Sequence, residues 1–252
     1  MPPVKTTTLT PGKGFAQKPR SRHSEYLMNR LTRGVPLILF LLISACNPTP
    51  DNNLSLALGD KNTEGFLRAN DVRPFHFPED HSAHPGFKNE WWYLTGNLES
   101  GQGNRFGYQV TFFRIALSPE NGDRESRWAT NHIWMAHAAI SDLDNGHHLH
   151  TERLSRGAVG LAGNRRKPFR VWLDDWQINS KDNDFPWSLN IGTKTFSLKL
   201  QINPQKPVVL QGEQGLSQKS PEPGNASYYY SMPRLKTQGT VRFGQHDFTV
   251  SG

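Results

Sequence analysis

Residues 89–115 read NEWWYLTGNLESGQGNRFGYQVTFFRI, and the fold is decided here. In the second half, Phe106, Tyr108, Val110 and Phe112 share one face and Gln109, Thr111 and Phe113 the other, the period of two that marks a half-buried strand. The first half is less regular. Glu90 precedes Trp91, Trp92 and Tyr93, and neighbouring side chains on a strand point to opposite faces, so the two indoles cannot share one core layer. One packs the core or its closure; the other is expected to face a ligand cavity or a partner domain. Gly96 and Asn97 read as turn residues just after the aromatic run, and ESGQGN at 99–104 reads as a turn before the next strand.

The same period recurs outward from this stretch, in HIWMAHAAISD (132–142), RVWLDDWQI (170–178) and TFSLKLQIN (195–203). A strand run unbroken through 170–178 sets Trp172, Asp174 and Trp176 against Val171, Leu173 and Asp175. Turn signals at 118–123, 142–148 and 243–247 separate the strands. Short antiparallel strands joined in this way predict an all-β sandwich or barrel. QGEQGLSQKSPEPGNAS (211–227) reads as a long exposed loop or an interdomain crossing. Strand character restarts at Tyr228 and runs to Gly252, where a new hairpin is expected to leave an edge strand unpaired.

The net charge of +7 is misleading, because it is concentrated at one end. Before Cys46 stand seven Lys and Arg against the single acid Glu25; the remainder carries 22 basic and 21 acidic residues. A body so nearly neutral has no electrostatic reason to bind nucleic acid. MNRLTRGVPLILFLLISAC (28–46) has the charged start, short apolar run and small residues of a secretory signal, and the apolar run falls short of the roughly 20 residues a membrane-spanning helix requires. Ile43-Ser44-Ala45-Cys46 resembles a bacterial lipobox, so Cys46, the only cysteine, is the expected lipidation site. The reading is a signal region at 1–45 with Met28 as the true start, then a flexible tether at 46–65. Membrane attachment is expected through the lipidated Cys46, on a periplasm-facing lipoprotein of the cell envelope. Asn47, standing where Asp would be an exception, points to the outer membrane.

Seven tryptophans lie between Trp91 and Trp187. Large aromatics can fill a barrel and seal its ends; together with Glu90, Gln109, Arg114, His137 and Asp174 they can also wall a ligand cavity. His76, His81 and His84 in one segment, and His147, His148 and His150 in another, raise a metal hypothesis that the sequence does not sustain, since the second group sits in a hairpin turn. His84-Pro85 is expected to fix an extended approach to the first strand. No metal and no cofactor is expected. There is no GxSxG, and the glycines of GAVGLAG (157–163) precede no helix that could hold a phosphate. Asp174 and Asp175 could serve acid-base work, or one could face water while the other pairs with an arginine.

HPGFKNEWWYLTGNL (84–98), followed by FGYQVTFFR, MAHAAISD, VWLDDWQI and YYYSMPRLKTQGTV, resembles the AttH and carotenoid 1,2-hydratase (CrtC) family, whose bacterial members are labelled predicted secreted hydrolases. The resemblance spans about 74–252. It implies a lipocalin-like, calycin-type antiparallel barrel at 66–215, the first of two in tandem. Residues 216–252 then form a crossing segment and first hairpin leading to a second barrel absent from this chain. In the family pattern a segment with Trp, Asp and Glu follows just past the Gly252 position, and its acid would be the expected proton donor.

Two functions follow from the resemblance. One is binding of a hydrophobic small molecule, a lipid or isoprenoid, as an accessory of an ABC transport system with a permease partner. The other is hydration of an isoprenoid C=C bond, in which an aromatic cage of Trp91, Trp92, Trp172, Trp176 and Tyr230 would stabilise a cation. Expected ligand contacts are Trp91, Trp92, Tyr93, Gln109, Arg114, His137, Trp172, Asp174, Trp176 and Tyr230. Candidate catalytic residues are Glu90, Asp174 and Arg234. A scaffold lipoprotein with a solid core would show neither ligand nor turnover.

Overall fold

A computed structural model describes residues 63–119, 126, 128–182 and 184–252, all within one unit, Leu54–Gly252. The signal region, Cys46 and the tether as far as residue 62 lie outside the described residues. The alternating runs become β1 (Asn89–Ser100), β2 (Arg105–Ala116), β3 (His132–Asp142), β4 (His147–Arg156), β5 (Ala162–Arg165), β6 (Arg170–Leu173), β7 (Trp176–Ser180), β8 (Trp187–Gly192) and β9 (Phe196–Pro204). Short strands β10 (Val209–Leu210), β11 (Leu216–Gln218), β12 (Ala226–Tyr228) and β13 (Tyr230–Ser231) precede β14 (Leu235–Phe243) and β15 (His246–Ser251). The long strands form one antiparallel sheet in the order β4-β3-β2-β1-β15-β14-β9-β8-β7-β6-β5, curled into a nearly closed barrel. β10 pairs with β13 and β11 with β12 in two small ladders.

Alternation fills the interior. Leu94 and Leu98 of β1, Phe106 to Phe112 at alternate positions of β2, Ala136 to Ile140 on β3 and Leu198 to Ile202 on β9 are all buried in one cluster. Each fully buried aliphatic or aromatic side chain of this kind contributes roughly 1.5–3 kcal/mol. Gly96 and Asn97 do not turn the chain: β1 runs straight through them, paired with β2 from Asn89↔Ile115 to Glu99↔Arg105. Gly96 is small because the Tyr108 ring lies over it, and a Cβ there would stand 2.8 Å from Tyr108 Cε1.

The run at 170–178 is not one strand. Leu173 pairs with Trp176 across a two-residue turn, Asp174-Asp175, in which Asp174 adopts φ 54°. The turn resets the alternation, so Val171, Leu173 and Trp176 face the core while Trp172 lies on the outside, its Nε1 donating to the Gly160 carbonyl at 2.9 Å.

The terminal hairpin also differs from expectation. β14 pairs with β9 along its whole length and β15 with β14, so 235–251 lies within the barrel wall instead of standing apart from it. β15 in turn meets β1 only at Glu99↔Ser251 and Ser100↔Val250. Beyond these two pairs, the ladders described for β1 and β15 are those with β2 and β14. A second interruption separates β4 from β5 and β6; there Arg153 of β4 bonds to Asp175, donates to the Gly192 carbonyl at 3.2 Å and lies 4.3 Å over the Trp176 ring.

Candidate functional site

The first residues of β1, the ends of β7 and β9 and the starts of β8 and β14 share one end of the barrel. Residues 63–88 cross that end before entering β1; the Leu67 N–H donates to the Gly86 carbonyl at 2.9 Å, and a single 3₁₀ turn covers Glu79–His81. Between this crossing segment, β1 and residues 226–235 lies a cavity of about 410 Å³. Its floor is apolar, formed by Leu94, Ile178, Trp187 and Leu235; Trp91, Trp92, Phe75, Tyr228, Tyr229 and Tyr230 form its walls.

The adjacent tryptophans divide as the pleat requires. Trp92 points inward, stacks on Trp134 with centroids 5.8 Å apart and donates from Nε1 to the His81 carbonyl at 2.8 Å. Trp91 points outward, 39% exposed, with Tyr229 6.2 Å away. Tyr93, on the same outward face, also borders the cavity. Trp187 sits between Phe169 and Phe185 at 4.5 and 4.3 Å, and its buried Nε1 has no hydrogen-bond partner among the described residues.

A chain of charges runs along one wall. Asp80 accepts from Arg73 Nη2 at 2.7 Å and meets His84 Nε2 at 2.8 Å; the other ring nitrogen, Nδ1, meets Glu90 Oε1 at 2.9 Å. Glu90 Oε2 accepts from Arg114 Nε at 2.7 Å, and Arg114, 2% exposed, also donates to the carbonyls of Phe87 and His84 at 2.6 and 3.2 Å. With a carboxylate at each ring nitrogen, His84 is an imidazolium donating both ways. The bond to Glu90 raises its pKa, burial opposes the rise, and Asp80 adds to it. Burial works against the charge on Asp80, but Arg73, the His76 N–H and His84 prevail, and its pKa falls.

His81 is a different kind of histidine. It is packed against Phe77, Trp187 and Tyr230, with Nδ1 2.8 Å from the Tyr230 hydroxyl. Burial lowers its pKa to about 4 despite Asp184 and Asp80, so it is neutral at pH 7. Burial likewise drives the Tyr230 hydroxyl well above its ordinary range. Neither group offers a strong acid. Among the described residues no group of three or more His, Cys, Asp or Glu is placed to hold a metal ion.

Of the residues expected at the site, the structure brings Glu90, Trp91, Trp92, Tyr93, Arg114 and Tyr230 to this end of the barrel. The others lie elsewhere. Gln109 and His137 line a more open hollow of about 520 Å³ on the outer face of β2, β3 and β4, because their positions alternate with the core residues. Trp172 is outside and Trp176 is sealed in the core at 1% exposure, so neither reaches a common cage. Asp174 belongs to the turn at the β4 seam, 3.8 Å from Arg153, and Arg234 is exposed, with its carbonyl accepting from the Gln205 N–H at 2.8 Å. His84 does more than fix the approach to β1, since it joins the two carboxylates. Asp80 and Arg73, which line the cavity, were not singled out, nor was the role of the neutral His81 packed behind it. The clustered histidines signalled their segment, but not which acid each would meet.

The fold and site together define a lipocalin-like antiparallel barrel with an aromatic cleft at one end. The AttH-like family pattern matches residues 68–252, and the chain belongs to that family. The chain is also similar to a crystal structure of an AttH-type protein from Nitrosomonas europaea, at 35% identity and a TM-score of 0.65, covering 74% of this chain. This chain spans 55% of that one's length. No curated protein matches it.

Proposed function

We propose that the barrel binds a hydrophobic small molecule, a lipid or an isoprenoid, in the aromatic cleft. The observation that carries this is the pairing pattern around the cavity: the charged groups in its wall bond to one another, which leaves apolar rings as the surface offered to a ligand. A site built this way takes an apolar body. The unpartnered Trp187 Nε1 favours a ligand with one acceptor oxygen. The same pairing makes Asp80 and His84 poor candidates for the acid of an alkene hydration. Protonating an alkene needs a carboxylic acid or imidazolium free to donate, whereas Asp80 is held ionised and both protons of His84 are engaged.

The cell-envelope setting follows from the leader. An acylated Cys46 would hold the domain at a membrane through its tether, each buried acyl CH₂ contributing about 0.8 kcal/mol. There it would serve as the accessory of an ABC transport system, receiving a ligand from a permease or delivering one to it. Native mass spectrometry of protein purified from envelopes tests the binding claim: an apolar adduct is expected, and bare polypeptide in every preparation would refute it. For the anchor, palmitate labelling should mark the wild type and fail on Cys46→Ser; equal labelling of both would contradict it.

A further inference from the structure

We propose that the cleft end of the barrel docks on an anionic lipid surface. The topology sorts the connections between strands into two sets. The β1–β2, β3–β4, β6–β7, β8–β9 and β14–β15 turns lie at one end; the crossing segment 63–88 and the β2–β3, β5–β6, β7–β8 and β9–β14 connections lie at the other, with the cleft. The two ends differ in charge.

The turn between β5 and β6 carries Arg165, Arg166 and Lys167, all exposed, and further connections at that end add the exposed Lys181, Lys206, Lys219 and Arg234. Three acids there are matched: Glu79 by Lys167 at 3.3 Å, and Asp80 and Glu90 by Arg73 and Arg114 at 2.7 Å each. The others, Glu64, Asp71, Asp182, Asp184, Glu213 and Glu222, are fewer than the cations left over, which also include Arg68, Arg156 and Arg170. At the opposite end the balance is reversed. Among the described residues Glu99, Asp142, Asp144, Asp174, Asp175 and Asp247 stand there against Arg105, Arg153, Lys194 and Arg242. A barrel that is nearly neutral in sum thus has a positive end and a negative one, and such a field turns the positive end toward an anionic surface.

Apolar side chains at the same end choose between anionic partners. Leu67 is 63% exposed, and Val72, Phe77, Val209 and Leu210 are exposed as well. A polynucleotide is held by cations and stacking rings and has no use for bare aliphatic side chains, whereas a bilayer interface takes both charge and alkyl groups. Several of these residues border the cleft: Val209 pairs with Ser231, Leu210 with Tyr230, and the Phe77 ring lies 4.8 Å from that of Tyr230. The tether from the expected lipid at Cys46 also joins here, since a Cβ on Gly65 would stand 2.7 Å from Pro119 in the β2–β3 connection. The docking concerns where the barrel rests, not what its cleft holds, and does not depend on the ligand reading.

Amide hydrogen exchange on the full chain tests it, with the protein free, mixed with phosphatidylcholine vesicles, and mixed with equimolar phosphatidylcholine–phosphatidylglycerol vesicles. On the mixed vesicles the amides of 166–169 and 205–210 should exchange about threefold or more slower than in the free chain, while the far-end turns at 101–104 and 143–146 stay unchanged. Pure phosphatidylcholine should give no such slowing. Arg165→Glu with Arg166→Glu keeps the leader and tether, so it should lose the slowing while exchange in β9 stays that of the wild type. Lys206→Glu with Arg234→Glu, on a separate connection, repeats the test should the first pair disturb β9. Equal exchange with and without mixed vesicles, slowing at the far-end turns, equal slowing on pure phosphatidylcholine, or slowing that survives the charge reversal would each overturn the proposal. Slowing that rises with protein concentration in the absence of vesicles would also overturn it, since a second copy would then cover this end.

Discussion

The barrel is interrupted twice, and the interruptions are sealed differently. Between β4 and β6 a single side chain closes the seam: Arg153 spans to Asp175 and the Gly192 carbonyl with its guanidinium over Trp176. Between β1 and β14, β15 meets β1 at Glu99 and Ser100, and aromatic rings border the cleft beside β1 without filling it. A planar cation that stacks and donates in several directions can stand in for a missing ladder. At the second, rings such as Trp91, Tyr228 and Tyr229 border a cavity of about 410 Å³ that they do not fill. The first seam is held by polar bonds, and at the second lies the cleft proposed to take a ligand.

That contrast is most strongly tested at Arg114, which lies behind the cleft but is bonded like a seam residue. Arg114→Ala leaves Glu90 beside His84 without its main cation and removes donors from two carbonyls; a loss of about 3–5 kcal/mol is expected in urea unfolding. A next, smaller effect is acid sensitivity. The folded pKa of His81 is depressed to about 4 from 6.5, so the unfolded chain takes up the proton first as pH falls. The stability present above pH 6.5 should decline between 6.5 and 4, by about 3 kcal/mol, and His81→Gln should flatten that part of the profile. His84 acts oppositely: its raised pKa contributes stability below about pH 6.5 that is lost as pH rises through the folded value.

Arg153→Ala should cost about 1–2 kcal/mol, mostly through the lost Trp176 stack and Gly192 bond, because its carboxylate partners are well exposed. The loss should change little between low and high salt. Trp91→Ala, at the cleft, should change stability by less than about 0.5 kcal/mol while weakening ligand binding. If Trp91→Ala were the more destabilising of the two, the contrast between the bonded seam and the cleft would be reversed.

The strands were legible because their core positions alternate, as Phe106 to Phe112 do, and the packing demands no more than that alternation. Three features were not. Asp174-Asp175 reads as part of a strand, since nothing in DD announces a hairpin as Asn-Gly would. Gly96 reads as a turn because its reason for being small, the Tyr108 ring, belongs to another strand. The pairing of β14 and β15 into the same barrel depends on long-range register that no local window contains. At the site, Trp91, Trp92 and Glu90 could be chosen from their own neighbourhood. Asp80 and His84 could not, because their roles come from the crossing segment folding back over β1, which brings Tyr230 onto His81 from 149 residues away.

The central claim is that the cleft beside β1 receives an apolar molecule, and fluorescence titration with cis-parinaric acid tests it most directly. Saturable energy transfer from tryptophan is expected in the wild type, and the paired variant Trp91→Ala with Tyr229→Ala should bind about tenfold or more weakly while staying folded. Absence of saturable binding up to about 100 μM, or equal affinity in the variant, would contradict the account.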